Sequence, residues 1–432
     1  MINTKYVRDN IDAIRRSLEK RRSDYPIDEL LELDKKWRID KTKLQELQAK
    51  RNALSKEIAK LSKENGQDAI SKLAKESNTI KEEAERLEKE IEKYSSRIDF
   101  LLFNLPNILH ESVPYGKDSS ENVEIKRWGK PKQRKVPSHD ELLKNLGLLD
   151  TDQASEIAGA RFYYLKGDLA LLQHALMNFA IDELVKKGYE LVEPPLMMKK
   201  QYYKGVTAMG DFEEMLYRAG EPKEAQGKSI EHMEDELYLI ATSEHPLAAM
   251  HANHVFSAKE LPKKYVGYSP CFRREAGSHG KDTKGIFRTH QFYKVEQFIF
   301  SRQEDSWKYH EELLRNEEEL FQKLGIPYRV VNICTGDIGV VAAKKYDIEA
   351  YMPAQNEYKE VTSCSNCTDW QSLRLDIKYD EGGERKYAHT LNATGISANR
   401  AMVAIVENYA MENGKIRVPD ALVKYMGKDV IG

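Results

Sequence analysis

Residues 271–296, CFRREAGSHGKDTKGIFRTHQFYKVE, carry the pattern that decides the fold of this chain. Two strand-like ends flank a loop with glycines at positions 277, 280 and 285, which predicts a β-hairpin whose loop can close over a ligand. Side chains alternate along a strand, so Arg273 and Glu275 are expected on one face of the first strand.

The side chains of this hairpin suit a nucleotide. An arginine offers a planar fork to a phosphate or carboxylate, and a glutamate two residues on can accept a hydrogen bond from an exocyclic amine such as adenine N6. Arg-x-Glu alone is more often an exposed ion pair. Arg288, His290, Phe292 and Glu296 follow in the second half and favour a nucleotide cradle.

The segments on either side of this hairpin predict an α+β fold. Alternating apolar residues predict antiparallel strands, and amphipathic segments predict helices set apart from them. The strands are expected at 189–197, 236–242, 263–275, 292–300 and 328–336, and the helices at 168–188, 306–325 and 400–410. This order favours an antiparallel sheet with helices on a face.

Residues 30–105 follow a different pattern, with apolar side chains spaced by three, four or seven. The turn-forming sequence Glu64-Asn65-Gly66-Gln67 interrupts the repeat, and no proline occurs between Pro26 and Pro106. Two such segments bury their apolar stripes by folding back on each other, which predicts an antiparallel helical hairpin over about residues 30–101. Each helix would be roughly 50 Å long, and the hairpin is expected to project as an arm.

The composition divides the chain into a helical arm at 1–105, a connector rich in proline, glycine and charge at 106–140, and an α+β domain at 141–432. The net charge of -2 excludes a basic nucleic-acid coat, so any nucleic-acid contact must come from a local patch. Basic residues gather near the tip of the hairpin: Arg51, Lys56, Lys60, Lys63, Lys72 and Lys75. They indicate either an ordinary solvated face or a surface that grips a phosphate backbone.

The sequence carries no clear signal for membrane insertion, secretion or disulfide formation. No apolar run approaches the roughly 20 residues needed to span a membrane, and the amphipathic N-terminal segment lacks the apolar core of a signal peptide. Four cysteines do not make a disulfide framework, so a reducing, cytoplasmic setting is expected. Cys364 and Cys367 form a single CxxC without a second pair, so no zinc is expected.

Three further segments carry candidate chemistry. Thr242-Ser243-Glu244 on its own is typical of a helix N-cap. Residues 359–367, KEVTSCSNC, place Glu360 beside hydroxyl groups that could coordinate Mg²⁺. Residues 389–400, HTLNATGISANR, lead from a strand into a helix that starts near Arg400, which can bring a guanidinium to a phosphate. Taken alone, this last segment is an ordinary strand–helix turn.

Residues 271–296 resemble motif 2 of the class II aminoacyl-tRNA synthetases, and FRREAGSHGKDTKG with HQFYKVE resembles the seryl branch. Residues 389–400 resemble motif 3, although Ala393 replaces a usual glycine and Asn399 a common acid. The helix from Leu169 through Pro194-Pro195 resembles motif 1, which builds a homodimer interface in the family.

The resemblance implies a class II catalytic domain that activates L-serine with ATP and Mg²⁺ and transfers it to tRNA. Arg273, Arg400 and Glu360 would be the catalytic residues, and Glu360 and Ser363 would reach Mg²⁺ held by ATP. The residues implied for ATP are Arg273, Arg274, Glu275, Thr289, His290, Gln291, Phe292, Glu360, Val361, Thr362, Ser363 and Arg400. Those implied for serine are Thr242, Ser243, Glu244, Arg273, Glu296, Asn392 and Thr394.

The resemblance also gives the hairpin a partner, the long variable arm of tRNA-Ser, which would be read through its backbone shape. It leaves tRNA-Sec open as a second substrate. Three alternatives stay open at this point: a catalytically idle paralogue, a homologue that loads a carrier protein, and a coiled-coil scaffold with a nucleotide sensor. The retained charged motif residues argue against the first, and the long hairpin argues against the second.

Overall fold

The computed structural model describes residues 4–62, 67–131, 135–208, 213–219, 236–275 and 284–432. The chain divides into two compact units, one of residues 2–19 and 23–105 and the other of residues 20–22 and 106–432. Several sequence features lie outside the described residues, namely Lys63, most of the predicted turn at 64–67, and the loop glycines at 277 and 280.

Helices and strands are numbered here in chain order. The helices are α1 Thr4–Asp9, α2 Ile11–Arg21, α3 Ile27–Leu61, α4 Gln67–Asn104, α5 His139–Asn145, α6 Asp152–Ala158, α7 Gly167–Val185, α8 Lys200–Val206, α9 Glu244–Ala249, α10 Ser306–Lys323, α11 Trp370–Leu375, α12 Ala398–Tyr409 and α13 Asp420–Met426. The strands are β1 Val123–Trp128, β2 Leu149–Asp150, β3 Tyr164–Leu165, β4 Glu190–Val192, β5 Met197–Lys199, β6 Arg218–Ala219, β7 Leu237–Leu239, β8 Val255–Ser257, β9 Lys263–Phe272, β10 Gln291–Ser301, β11 Tyr328–Asn332, β12 Lys344–Met352, β13 Glu357–Asn366, β14 Lys378–Glu381, β15 Glu384–Tyr387, β16 His389–Ser397, β17 Ile416–Arg417 and β18 Val430–Ile431.

The two long helices α3 and α4 form the predicted antiparallel hairpin. Their apolar stripes meet in a cluster of Leu44, Ala84 and Ile91, with Trp37 packed against it. The Trp37 indole also donates a hydrogen bond to the hydroxyl of Ser95 at 3.0 Å. Pro26 precedes α3, where a missing N–H costs no helical hydrogen bond. The sequence prediction of a helical hairpin is therefore confirmed.

An eight-stranded sheet organises the second unit, in the order β1-β11-β12-β13-β16-β10-β9-β4. Every neighbouring pair is antiparallel except β4 and β9, which are parallel. Strand β16 lies between β13 and β10 and joins the two halves of the sheet. The α+β prediction with an antiparallel sheet is confirmed.

Helices cover the sheet and form a continuous apolar core with it. Helices α7, α10 and α12 bury residues such as Leu176, Phe321 and Ile405 against strand residues such as Ile299 and Ile396. Among the described residues, no helix has both the length and the apolar character that a membrane crossing requires.

The structure corrects one local prediction. Strand β9 ends at Phe272, so Arg273 and Glu275 do not alternate along it as the sequence suggested. Glu275 adopts a left-handed backbone with φ of 47°, which is incompatible with an extended strand. Arg161 stabilises this bend, since its guanidinium donates to the Glu275 carbonyl at 3.0 Å. Strand β12 is a further difference, because the sequence did not predict it.

Candidate active site

A polar cavity of about 220 Å³ lies where β10, β16 and β13 meet the segment after β9. It is lined by Thr242, Glu244, Arg273, Glu275, Phe287, Arg288, Thr289, Phe292, Lys294, Glu296, Lys345, Glu360, Val361, Thr362, Ser363, Asn392, Thr394, Ser397, Asn399 and Arg400. Fourteen of the sequence-predicted ATP, serine and catalytic residues therefore share one cavity.

Strand alternation explains why β10 points Lys294 and Glu296 into this cavity. The next residue, Gln297, faces the opposite side, where Asn316 of α10 donates to its side-chain oxygen at 2.8 Å. The pairing of β10 with β16 shifts between Val295 and Glu296, and this irregularity sets Glu296 opposite Thr394. The register between β10 and β16 thus brings the Glu296 carboxylate next to the Thr394 hydroxyl.

One end of the cavity is acidic, and we call it the acid end: Glu244, Glu296, Thr242, Thr394 and Lys294. The buried Lys294 ammonium lies 2.5 Å from Glu296 Oε2. The Thr394 hydroxyl donates to the same oxygen at 3.4 Å. Two acidic side chains and one lysine therefore line this end, which suits it to one more cation.

Glu244 is an acid whose ionisation is opposed by its surroundings. Burial and the neighbouring charge of Glu296 raise the pKa of Glu244 to about 7, against the opposing charge of Lys294. Gln371 donates a hydrogen bond to its Oε1 at 3.0 Å. Thr242 is tied to the same residue, because its hydroxyl accepts the backbone N–H of Glu244 at 3.2 Å.

The opposite end is built from arginines, and we call it the arginine end: Arg273, Arg288, Arg400, Glu275 and Glu360. The Arg273 guanidinium carbon lies 5.3 Å from the centre of the Phe292 ring. Its Nε donates to the Ala241 carbonyl at 3.2 Å, so the two Nη groups carry its remaining donors. Arg288 Nη1 lies 3.7 Å from Glu275 Oε2.

Arg400 is placed by the start of α12 and by Glu360 of β13. Its Nη1 donates to Glu360 Oε1 at 2.8 Å, and its guanidinium carbon lies 5.3 Å from the Phe287 ring centre. Partial burial opposes ionisation of Glu360, but the charge of Arg400 and that of Lys345 outweigh it and lower the pKa of Glu360 to about 2. Glu360 is therefore a carboxylate at neutral pH.

Asn399, which departs from the class pattern, has a clear role in the geometry. Its amide donates to the Thr289 hydroxyl at 2.7 Å and to the Ile286 carbonyl at 2.9 Å. Its Oδ1 accepts from the Tyr163 hydroxyl at 3.2 Å. The amide thus ties the start of α12 to the segment that precedes β10, which an acid without donors could not do.

Four predicted residues do not line the cavity: Ser243, Arg274, His290 and Gln291. Ser243 is fully buried beside Gly267. His290 Nδ1 lies 2.8 Å from the Arg273 carbonyl, where it supports the turn that carries Arg273. Arg274 donates its backbone N–H to the Met215 carbonyl at 2.9 Å, and Gln291 pairs with Phe272.

Sequence reasoning missed Phe287, Lys294, Lys345 and Ser397 as lining residues. Lys294 could have been found, because it stands two residues before Glu296 on a predicted strand. Lys345 could not have been found, since it lies on β12, which the sequence did not predict. Its Nζ lies 3.1 Å from Asp347 Oδ2. The pattern around it gave no signal for a strand.

The donors that could hold a divalent cation are Glu360 and Ser363, both on β13 and both at the cavity. An ionised carboxylate and a hydroxyl are oxygen ligands of the kind Mg²⁺ takes when phosphates supply the rest of its shell. Cys364 and Cys367 lie elsewhere, as buried free thiols. Among the described residues, no group of three or more His, Cys, Asp or Glu side chains is arranged around a metal position.

The basic residues of the hairpin lie on both long helices. Arg51, Lys56 and Lys60 of α3 and Lys72 and Lys75 of α4 are exposed, and we call these five residues the tip set. Leu54, which lies on α3 between Arg51 and Lys56, is buried and faces away from this exposed surface.

Comparison with known proteins gives matches along the whole chain. Residues 228–409 match the family described as tRNA synthetase class II core domain (G, H, P, S and T), and residues 1–109 match the seryl-tRNA synthetase N-terminal domain. A serine–tRNA ligase of Thermococcus onnurineus is 48% identical, over 99% of this chain and 96% of the relative. One from Methanocella arvoryzae is also 48% identical, over 99% of each.

Solved structures show the same similarity. The seryl-tRNA synthetase of Pyrococcus horikoshii, complexed with ATP, superposes with a TM-score of 0.88 at 44% identity, covering 100% of this chain and 99% of that one. The cytoplasmic serine–tRNA ligase of Naegleria fowleri, in complex with AMP, gives a TM-score of 0.82 at 39% identity, over 98% and 95%.

Proposed function

The chain belongs to the seryl-tRNA synthetase family and is a serine–tRNA ligase, and on that premise we propose which of its residues perform each step. The observation that carries the proposal is the division of one cavity into an acid end and an arginine end. Arg273 of the arginine end reaches toward the acid end, because its Nε donates to the carbonyl of Ala241, the residue before Thr242.

The arginine end binds ATP in this proposal. The Phe292 ring provides a flat surface for the adenine, and Glu275 accepts from its exocyclic amine. Arg273 and Arg400 bind the phosphates, for which a guanidinium offers paired donors. ATP is a ligand of the similar Pyrococcus horikoshii enzyme, which supports the proposal.

The acid end binds serine. The ammonium of serine is a cation that Glu244 and Glu296 can accept together with the Thr242 hydroxyl. Thr394 and Asn392 are the polar groups that face the serine hydroxyl. A site built around a polar partner rejects alanine, because that partner would be left without a hydrogen bond.

The chemical step needs positioning more than proton transfer. A carboxylate oxygen of serine attacks the α-phosphorus of ATP, the bond from that phosphorus to the bridging oxygen breaks, and pyrophosphate leaves. The nucleophile is already an anion, so no general base is required. Arg273 and Arg400 neutralise charge that develops on the phosphates.

Glu360 and Ser363 would hold Mg²⁺ together with the phosphates. When bound, Mg²⁺ supplies charge neutralisation at the phosphate oxygens. Arg400 already holds Glu360 Oε1 at 2.8 Å, so the carboxylate is oriented before any ligand arrives. Its other oxygen is then the one available to a cation.

Residues 1–105 form the tRNA-binding region in this proposal, residues 106–140 connect it, and residues 141–432 carry catalysis. The tip set contacts the backbone of the long variable arm of tRNA-Ser, and the acceptor end reaches the cavity. Exposed lysines and arginines bind phosphates without reading bases. The chain acts in the cytoplasm, consistent with its four free thiols.

The proposal also includes a homodimer. Helix α7, strands β4 and β5 and the segment between these strands expose large apolar side chains, namely Leu171, Val185, Leu191, Leu196 and Met197. Apolar side chains that form one contiguous patch mark an interaction surface. A second copy of the chain would cover it by twofold symmetry.

The amino-acid activation step is tested by exchange of pyrophosphate into ATP, measured with each amino acid in turn. We expect exchange with serine and a loss of about 10²- to 10³-fold in kcat for Arg273→Ala. The matched control is Arg385→Ala, an exposed arginine on β15. Equal rates for the Arg273→Ala variant and the unmodified chain would refute the role of Arg273.

A further inference from the structure

We propose that His139 is a positioning residue that fixes the arginine end of the cavity through the backbone of Ile286. The proposal rests on the function proposed above, because it explains how the segment just before β10 is held for ATP. His139 opens α5 and Glu407 lies on α12, and both side chains are buried, with 5% and 1% of their surface exposed.

The hydrogen bonds around the His139 ring determine its tautomer. The backbone N–H of Ile286 donates to Nε2 at 3.3 Å, so this nitrogen carries the lone pair. Nδ1 therefore bears the proton and donates to Glu407 Oε1 at 3.2 Å. Glu407 is held in turn, since its Oε2 accepts the N–H of Ala354 at 3.0 Å. The carboxylate orients the imidazole, and the imidazole presents an acceptor to Ile286.

Ile286 is gripped from two sides. Its carbonyl accepts from the Asn399 amide at 2.9 Å, while its N–H is bound to His139. Both backbone polar groups of this fully buried residue are thus satisfied by side chains from α5 and α12. We call this arrangement the Ile286 clamp, made of His139, Glu407 and Asn399.

Gly285 shows how closely the histidine ring approaches the chain. Its φ is +70°, a left-handed conformation that favours glycine. A Cβ at this position would overlap the Nε2 atom of His139. The clamp therefore requires glycine at 285 as well as histidine at 139.

The residues that follow the clamp line the arginine end. The Phe287 ring packs against Arg400, and Arg288 lies 3.7 Å from Glu275. A displacement of Ile286 would move both, and a shift of about 1 Å at a reacting site can cost on the order of 10²-fold in rate. The acid end is built from the middle of β10, from β16 and from the segment of Thr242 and Glu244, so the KM for serine should change much less than the KM for ATP.

Two substitutions at one position separate the two functions of the ring. In His139→Gln the side-chain oxygen can stand near the position of Nε2 and still accept from Ile286. In His139→Asn the amide can replace Nδ1 toward Glu407 but cannot reach Ile286. We expect His139→Asn to raise the KM for ATP about tenfold or more, and His139→Gln to stay within about threefold of the unmodified chain.

The measurement is serine-dependent pyrophosphate exchange, with KM for ATP, KM for serine and thermal unfolding recorded for each variant. The matched controls are His254→Asn and His254→Gln, at an exposed histidine. Equal changes in the Asn and Gln variants, or parallel increases in the KM for both substrates, would show that His139 only stabilises the fold and would overturn the proposal.

Gly285→Ala tests the same clamp by placing a methyl group against the His139 ring. This test does not depend on the folding of the histidine variants. We expect it to raise the KM for ATP as His139→Asn does, and the double variant to add little further loss, since both break one contact. A normal KM for ATP in Gly285→Ala would also overturn the proposal. If the unmodified chain showed no exchange with serine, the proposed function would fail instead, so the two failures are distinguishable.

Discussion

Glu244 is a buried acid that is also proposed to bind the serine ammonium. It lies at the acid end, hydrogen-bonded to Gln371, and burial together with the charge of Glu296 raises its pKa to about 7. A carboxyl with that pKa is half protonated at neutral pH. A serine ammonium would favour the ionised form, because the added cation offsets the repulsion from Glu296.

The pH dependence of serine binding should therefore follow Glu244. The ionised carboxylate is the form that accepts an ammonium, so the KM for serine should fall as pH rises from 6 to 8, by about tenfold if only that form binds. Exchange kinetics at several pH values, with serine varied, measure this dependence. Glu244→Gln should weaken serine binding and flatten the profile.

The KM for ATP serves as the control in the same experiment. Burial raises the pKa of Asp347 to about 7 as well, but this residue lies on β12, where it pairs with Lys345 and interacts with Glu360 of the arginine end. An overall rate would mix the two titrations, whereas the KM for serine reports the acid end. If Glu244→Gln kept the full pH dependence of that KM, another group would be responsible.

The cavity residues differ in how far the sequence alone predicts their positions. Glu296, Thr394 and Arg400 line the cavity that the motifs suggested, because strand alternation and motif spacing constrain them directly. Glu275 also lines it, but through a left-handed bend held by Arg161, more than a hundred residues away in the chain. Contacts of that kind have no local signature, and the clamp at Ile286 has none either.

At the scale of elements, the hairpin of α3 and α4 was the most predictable part. Its apolar repeat predicts one arrangement, since each apolar stripe leaves water by packing against the other. Strand β12 was missed because residues 344–352, KKYDIEAYM, do not alternate cleanly, and both of its neighbours bury it within the sheet. The short strands β4 and β7 were predicted longer than they are, because prolines and chain turns end them early.

The tip set on these helices should control tRNA charging without affecting serine activation. Reversing Lys60 and Lys72 to glutamate replaces attraction to phosphates by repulsion, so kcat/KM for tRNA should fall roughly tenfold or more. Aminoacylation measures the loss, and pyrophosphate exchange should be unchanged. Added salt should weaken tRNA binding by the unmodified chain more steeply than by the variant.

Lys41 and Lys89 provide the matched control. Both are exposed lysines of the same two helices, and Lys41 lies about 20 Å along the helix from Lys56. Reversing these two charges changes the net charge of the hairpin by the same amount. If the two pairs of variants lost charging activity equally, net charge rather than the tip would explain the effect.

At the scale of the whole molecule, the dimer proposal rests on the exposed apolar residues of α7, β4 and β5. Leu191→Asp places a charge in the proposed interface, where it would have no partner. We expect the unmodified chain to have twice the mass of the 49.8 kDa monomer in solution, and the variant to shift toward one chain. Light scattering after size exclusion gives both masses.

Ile157→Asp is the control for that measurement. Ile157 lies on α6 and is 65% exposed, so the substitution adds the same charge at an apolar surface position outside α7, β4 and β5. A monomeric mass for the unmodified chain would end the dimer proposal. A dimeric mass for Leu191→Asp would place the interface elsewhere.

The central position of β16 has a consequence for how the protein is made. The strands on its two sides, β13 and β10, are joined within the sheet through residues 389–397. A growing chain on the ribosome can complete the α3–α4 hairpin once residue 104 has emerged. The sheet must wait for its middle strand, so its two halves expose unpaired edges until translation is nearly finished. Synthesis halted before residue 389 should yield a folded hairpin attached to an aggregation-prone remainder, and slow codons or chaperones would matter most over that interval.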